Sequence, residues 1–331
     1  MSFIRAAARA VVVLAVVTAV SCLYLAYAPV GDGAPHPFNQ DRNAVWLEHR
    51  WLEKAHSVEE MEQMFRFLDH HGIVYAYPHL IPFDSAGRLP LHNREQMRAF
   101  LATARRVAPG MKLLPWVGGL RVGYKRSRPG TLDLGDLGQR QRMVAECRGL
   151  MDEGFDGIHV NVEPVANGDD DFLALLRALR TAVGGGILSL SATRPGPIAP
   201  AFAPNFFWTA DYYTRIADTA DQVVLMTYDT ALPTPALYRR YVGYAAAAVT
   251  ANFARSKRTR VLVGIPTYKD TGLMHRKGVE TTENALLGVV AGLRGRAVGG
   301  TFEGVALYAE WTTDPEDWAV YERVWRGHTV P

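Results

Sequence analysis

The sequence predicts an α/β chain that closes into a single (β/α)8 TIM barrel, preceded by an N-terminal transmembrane or signal segment. Three observations carry this. Short apolar or alternating runs change places eight times with stretches of helical period, the pattern of a parallel sheet with helical crossovers. Glycine-marked helix stops, such as His71-Gly72, Pro109-Gly110, Glu153-Gly154 and Gly184-Gly185-Gly186, fall just before strands. No G-x-G-x-x-G follows the first strand, so the rival doubly wound open sheet lacks its usual mark.

The elements follow in order. Arg5 and Arg9 precede Ala10–Ala28, a run of 19 residues without a charge, about long enough to cross a bilayer. Positive charge ahead of the run predicts the N-terminus in the cytoplasm and the rest of the chain outside, either membrane-anchored or secreted. The run reads as an uncleaved anchor, as a signal peptide cut after Ala26-Tyr27-Ala28, or as a lipid-attachment segment at Cys22. Pro29 is a poor first residue for the second form, and Ala19 stands where the third wants a Leu-like side chain. Residues 29–43 (PVGDGAPHPFNQDRN) read as a linker rich in Pro, Gly and Asn. Residues 44–331 are then the barrel domain.

Its candidate strands are Ala44–Leu47, Ile73–Tyr77, Lys112–Val117, Gly157–Glu163, Ile187–Ser191, Gln222–Tyr228, Val261–Ile265 and Gly304–Tyr308. Between them the helical period marks Glu59–Asp69, Glu95–Val107, Gln139–Met151, Asp171–Val183, Ala236–Ala254 and Thr282–Leu293. A short tyrosine-rich helix fits Thr209–Asp218, and Pro315–Trp325 closes the chain.

Composition narrows the function. Lys+Arg 36 against Asp+Glu 33 gives a net charge of +3, and two of the cations lie in residues 1–28, so the rest is near neutral. That balance does not suit a protein held mainly by nucleic-acid phosphates. Two cysteines, Cys22 and Cys147, exclude a disulfide framework or a cysteine-rich zinc site. His70, His71, His79 and His92 share no metal spacing, and the Asp169-Asp170-Asp171 run suits a helix cap. No metal and no cofactor is implied.

The fourth strand carries the chemistry. In Gly157-Ile158-His159-Val160-Asn161-Val162-Glu163 the two-residue period puts Ile158, Val160 and Val162 on one face and His159, Asn161 and Glu163 on the other. In a barrel the second face points to the axis, where branched apolar side chains are the rule. Three polar groups there either bond one another and water or serve a substrate. Glu163 falls at the C-terminal end of its strand, the rim where such barrels place their active sites. Tyr308, Trp311, Trp116, Tyr77 and Trp46 fall at or near strand ends, where an aromatic ring either plugs the barrel or stacks on a sugar face.

Asp156 to Glu163 resembles the D-G-x-D-x-D-x-E signature of glycoside hydrolase family 18, the chitinases and related endo-N-acetylglucosaminidases. Asp156 and Glu163 match; His159 and Asn161 replace the middle acids. Further pieces follow in order along residues 44–325. Trp116-Val117-Gly118-Gly119 is similar to S-x-G-G with Trp for Ser, and Met226-Thr227-Tyr228-Asp229 matches M-x-Y-D. Gly264-Ile265-Pro266-Thr267-Tyr268 resembles G-x-P-x-Y, and the strand ending at Tyr308 fits the last, where the family usually has Trp.

The resemblance implies a substrate-assisted retaining glycosidase, in which the sugar's own 2-acetamido group attacks the anomeric carbon. Glu163 would be the acid, Asn161 the group that orients the acetamido, and Tyr228 its carbonyl partner. An N-x-E pair with that role occurs in glycoside hydrolase family 85. His159 either bonds Asn161, sets the protonation of Glu163, or is a neutral core histidine. Asp156, Asp229, Tyr268, Tyr308, Trp311 and Trp116 are the substrate-contact candidates, with Tyr308 as the pocket floor. The expected partner is an oligosaccharide or polysaccharide containing N-acetylglucosamine. A catalytically silent carbohydrate-binding relative is the alternative, and a barrel enzyme of unrelated chemistry is a third, because fold alone does not fix function.

Overall fold

Nine parallel strands form one curled sheet in this computed structural model, which describes residues 2–91, 93–121, 131–196 and 203–328. They are β1 (Asn43–Leu47), β2 (Ile73–Pro78), β3 (Lys112–Leu113), β4 (Trp116–Leu120), β5 (Gly157–Glu163), β6 (Ile187–Ala192), β7 (Gln222–Met226), β8 (Arg260–Pro266) and β9 (Phe302–Tyr308). Their order is β3-β2-β1-β9-β8-β7-β6-β5-β4, so the two outermost strands are neighbours in the chain. The residues between them close the ring. Leu114 N donates to Ala76 O of β2 at 2.9 Å, and His159 N of β5 donates to Pro115 O at 3.0 Å. The expected third strand, Lys112–Val117, is thus real but broken at Pro115, which has no N–H to give to a ladder. The fold is barrel-like, as the alternation of elements predicts.

The helices are α1 (Ser2–Tyr27), α2 (Arg50–Glu53), α3 (Val58–His70), α4 (Arg94–Val107), α5 (Leu137–Asp152), α6 (Asp170–Val183), α7 (Ala210–Ile216), α8 (Pro235–Phe253), α9 (Thr282–Leu293) and α10 (Pro315–Val320). Most start on a side chain that accepts a first-turn N–H: Ser57, Asn93, Asp136, Asp169, Thr209, Thr234, Thr281 and Asp314 all do so. Asp169 is therefore a cap, bonded to Phe172 N at 2.9 Å. Apolar faces of these helices and the outward side chains of the strands, such as Ile158, Val160 and Val162, form the main core. The barrel interior is a separate cluster whose bulkiest buried members are Trp46, Tyr75 and Tyr77, packed with Leu114, Val224 and Leu262. Trp46 and Tyr77 are wholly buried there and plug the barrel; they are not sugar platforms.

The segment read as a linker lies against the barrel. Arg239 donates to Val30 O at 3.0 Å, Arg294 holds Asp32 with two bonds of 3.0 Å, and His36 Nε2 meets Val324 O at 3.0 Å. Among the described residues no helix is long and apolar enough to cross a membrane; the described side chains of α1 begin at Val11. His92 lies outside the described residues.

Candidate active site

β5 delivers three polar side chains to the axis at three heights. The lowest, His159, is fully buried among side chains of other strands. Its Nδ1 lies 2.8 Å from Ser189 Oγ and its Nε2 3.0 Å from Ser191 Oγ, while Trp46 Nε1 donates to Nε2 at 3.3 Å. The ring stacks on Tyr77 at 4.0 Å. With Nε2 accepting from Trp46, the proton belongs on Nδ1 and goes to Ser189, whose hydroxyl donates to Gln222 Oε1 at 2.8 Å. Burial drives the imidazole pKa down to about 3. His159 is thus the neutral core histidine of the three sequence readings. Its bonds run to serines and an indole, and neither Asn161 nor Glu163 is among its partners.

Asn161 and Glu163 stand above it and line a cavity of about 620 Å³ with Trp116, Arg194, Tyr228, Asp229, Tyr268, Tyr308 and Trp311. A second cavity of about 610 Å³, lined by His79, Phe83 and Leu120, shares Trp116, Asn161 and Glu163 with the first. The cleft therefore extends to both sides of Glu163. Burial raises the Glu163 pKa; the Asn161 side chain pulls it down, the Asp229 charge pushes it up and Arg194 opposes that. The outcome is a carboxyl with a raised pKa, suited to holding a proton for donation. Among the described residues Asn161 Oδ1 is buried without a hydrogen-bond partner, an acceptor open to a donor from a bound molecule.

Backbone geometry admits this arrangement only through Gly118, which pairs with Asn161 across β4 and β5. A Cβ on Gly118 would stand 1.8 Å from Asn161 O. That is the physical reason for glycine in the W-V-G-G run.

Aromatic rings wall the pocket. Tyr308, at the end of β9, stacks on Tyr228 with ring centres 5.1 Å apart and planes 14° off parallel. It also meets Trp46, Trp116, Tyr268 and Trp311 edge-on at 5.3, 6.2, 6.0 and 6.0 Å. Burial is the main cause that lifts its hydroxyl pKa to about 12, and it raises that of Tyr228 well above the usual value. Trp116 is braced from behind by His79 at 3.9 Å, an imidazole whose pKa burial lowers to about 4.

Asp229 sits just past β7 with a left-handed backbone, φ 56°, and accepts from Tyr268 Oη at 2.8 Å. Buried Glu280 holds that turn: it accepts from Asp229 N at 2.7 Å, Thr230 N at 2.9 Å and Thr230 Oγ1 at 2.6 Å. His275 Nδ1 lies 3.3 Å from Glu280 and 4.0 Å from Asp229. These three side chains are close enough together to hold a metal ion. Three donors already engage the oxygens of Glu280, which makes it a clamp on the Asp229–Thr230 turn.

One expected contact lies elsewhere. Asp156 is at the opposite end of β5 from Glu163, where Arg105 donates to it at 2.8 Å and Leu113 N at 2.9 Å. Seven steps along the strand, about 23 Å at ~3.3 Å each, separate it from Glu163. Its role is to tie β3 to β5 at the base, and it is not a substrate ligand. No motif in the sequence points to Arg194, Glu280 or His275. Arg194, just beyond the end of β6, donates to Asp229 O at 2.9 Å; a cation after a barrel strand is the signal that marks it.

The chain matches the glycosyl hydrolases family 18 over residues 55–326. It belongs to that family. The fold is similar to that of a chitinase from Chromobacterium violaceum (TM-score 0.56, 14% identity, 86% of this chain and 98% of that one). It is also similar to the family 18 chitinase ChiB of Flavobacterium johnsoniae (TM-score 0.50, 10% identity, 86% and 93%). A GH5_18 protein from Bifidobacterium longum gives TM-score 0.51 at 13% identity over 82% and 70%. At such identities these likenesses speak for the fold alone. None of the curated proteins compared matches the chain.

Proposed function

We propose that this family 18 member is an extracytoplasmic, substrate-assisted retaining glycosidase acting on glycans that contain N-acetylglucosamine. The observation that carries the reading is the pair Asn161–Glu163: a carboxyl of raised pKa beside a buried amide oxygen with no partner. Glu163 gives its proton to the glycosidic oxygen as the C1–O bond breaks. The acetamido carbonyl oxygen of the same sugar bonds to C1, and Asn161 Oδ1 accepts the acetamido N–H to aim it. The Glu163 carboxylate then takes a proton from a water that attacks C1, which reopens the ring with retention. Tyr228 and Tyr308 supply the walls against which the sugar lies.

A catalytically silent sugar-binding protein is the second reading, favoured by the amide at 161, which brings no charge to the developing oxazolinium. Hydrolysis of fluorogenic chito-oligosaccharides separates the two. Turnover that falls at least ~10²-fold in Glu163→Gln, the usual weight of general acid catalysis, supports the enzyme. Tight oligosaccharide binding without turnover in the parent chain supports the silent relative.

The location is argued from the N-terminus. Ala10–Ala28 is a 19-residue uncharged run behind Arg5 and Arg9, and α1 carries it as one continuous helix as far as Tyr27. At ~1.5 Å per residue the helical part of the run spans about 27 Å, against a hydrocarbon layer of ~30 Å. Val11, Leu14, Val17 and Leu23 are exposed along it. We take α1 as the segment that exports the barrel and holds it at the membrane. Recovery of the full chain in the soluble cytoplasmic fraction would contradict this.

A further inference from the structure

We infer that the barrel faces a lipid bilayer with its catalytic rim, so that the mouth of the Glu163 pocket opens toward the membrane surface. This rests on the anchoring role given to α1 above.

The path of the chain from α1 to β1 carries the inference. α1 ends against the first turns of α8, and α8 begins six residues after Asp229, at the rim where the pocket opens. Thr234 Oγ1 donates to Ala26 O at 2.5 Å, and Arg240 donates to Leu25 O at 3.1 Å and Ala28 O at 3.4 Å. The Arg240 guanidinium also lies over the Tyr24 ring at 5.7 Å. These donors meet carbonyls that a helix end leaves unpaired, and a cation there is favoured by the helix dipole.

From that point the chain descends. Val30 meets Arg239 on α8, Gly31 packs on Leu287 of α9, Asp32 pairs with Arg294 past the end of α9, and Gln40 donates to Phe302 O at 3.0 Å. Phe302 opens β9 at the base, and β1 starts there too. A helix joined directly to β1 would emerge at the base, facing away from the pocket. The strap of residues 28–42 carries its exit to the opposite end of the barrel.

The rim has a second, independent feature. Its loops expose large apolar side chains: Leu273 at 96%, Met274 at 44%, Phe206 at 43% and Trp311 at 40%. Exposed Arg276 and Lys277 lie in the same loop as Leu273. An indole and apolar side chains next to cations suit the headgroup zone of an anionic bilayer. The substrates within reach are then glycans displayed at the membrane surface.

The test uses the full chain in vesicles of phosphatidylcholine and phosphatidylglycerol that carry a headgroup nitroxide. A Cys22→Ser background leaves only buried Cys147. Single cysteines are placed at Leu273→Cys on the rim and at Ala297→Cys, exposed in the loop that leads into β9 at the base, and labelled with a fluorophore. The expected result is loss of Leu273→Cys emission with Ala297→Cys emission unchanged, because a strand's length of at least ~23 Å separates the two ends. Equal quenching, or stronger quenching at Ala297→Cys, overturns the orientation while leaving the anchor intact. Failure of the chain to float with the vesicles overturns the anchoring role and, with it, this inference. Arg240→Ala combined with Thr234→Ala should free the strap and reduce the difference between the two labels.

Discussion

Replacing His159 by Gln should remove a defined share of the chain's acid sensitivity. The folded imidazole has its pKa lowered to about 3 by burial, whereas an unfolded chain titrates near ~6.5. Below pH ~6.5 the unfolded chain therefore takes up a proton that the folded chain refuses, and stability falls as pH falls toward about 3. The His159 contribution is present in full above the unfolded value and is lost below it. At ~1.36 kcal/mol per unit, two units of descent to pH 4.5 cost on the order of 2.5 kcal/mol relative to pH 7.

Urea unfolding of the parent and of His159→Gln, each at pH 7 and pH 4.5, measures this directly. The variant loses hydrogen bonds at both pH values, and the double difference cancels that loss. The fall in stability between pH 7 and 4.5 should be smaller in the variant by on the order of 2.5 kcal/mol. The share from His79, whose pKa is lowered to about 4, should remain. An identical fall in both proteins would refute the assignment of His159 as a neutral core group. So would a changed shape of the pH–rate profile, because a histidine bonded only within the barrel interior has no proton to trade with the substrate.

Other outcomes follow from the same geometry. Asn161→Asp puts a carboxylate beside Glu163, raises its pKa further and should move the basic limb of kcat/KM to higher pH; an unmoved limb would separate the two side chains. Glu280→Ala frees three donors, all at the Asp229–Thr230 turn, and should cost about 2 kcal/mol in urea unfolding and raise KM. Gly118→Ala, with its Cβ 1.8 Å from Asn161 O, should cost several kcal/mol or abolish soluble expression, in excess of the ~1–3 kcal/mol of ordinary overpacking.

What the sequence makes legible is local. β5 spans Gly157–Glu163 as its alternation says, and α9 spans Thr282–Leu293 as its period says, because each depends on neighbours one turn or two residues away. The pocket's Tyr228, Tyr308 and Trp116 are legible through strand ends and family spacing. Long-range contacts are not. The fate of His159 is decided by Trp46, Ser189 and Ser191, which three other strand positions bring to it. Glu280 reaches Asp229 from 51 residues away, out of a stretch with no motif. Asp156 belongs to the signature and so suggests a substrate contact, but its position ahead of the N-terminal end of β5 puts it at the base. Pro, Gly and Asn in residues 29–43 suit a free linker and an ordered path alike, and the partners that fix the path, Arg239 on α8 and Arg294 just past α9, lie more than 200 residues away.

In the proposed reaction, His159 and Asn161 in place of the middle acids would leave Glu163 with two tasks. In the scheme proposed above, positive charge grows on the acetamido ring as the glycosidic bond breaks, and position 161 offers an amide dipole without a charge. Glu163, once it has given up its proton, is the anion left beside the reacting carbon. Its raised pKa then favours donation, and the anion it leaves is desolvated and so acts strongly on a nearby cation. Glu163→Gln removes the proton and the countercharge together, so the variant should lose turnover and also lose affinity for cationic transition-state mimics. A thiazoline analogue of N-acetylglucosamine, which gains a proton on binding, should therefore inhibit the parent and bind at least ~10-fold more weakly to Glu163→Gln, about 1.4 kcal/mol. Plain oligosaccharides, which carry no charge, should bind both proteins alike. Equal thiazoline affinity in the two proteins would mean that Glu163 does not face the oxazoline ring, and the two-task account of this residue would fail.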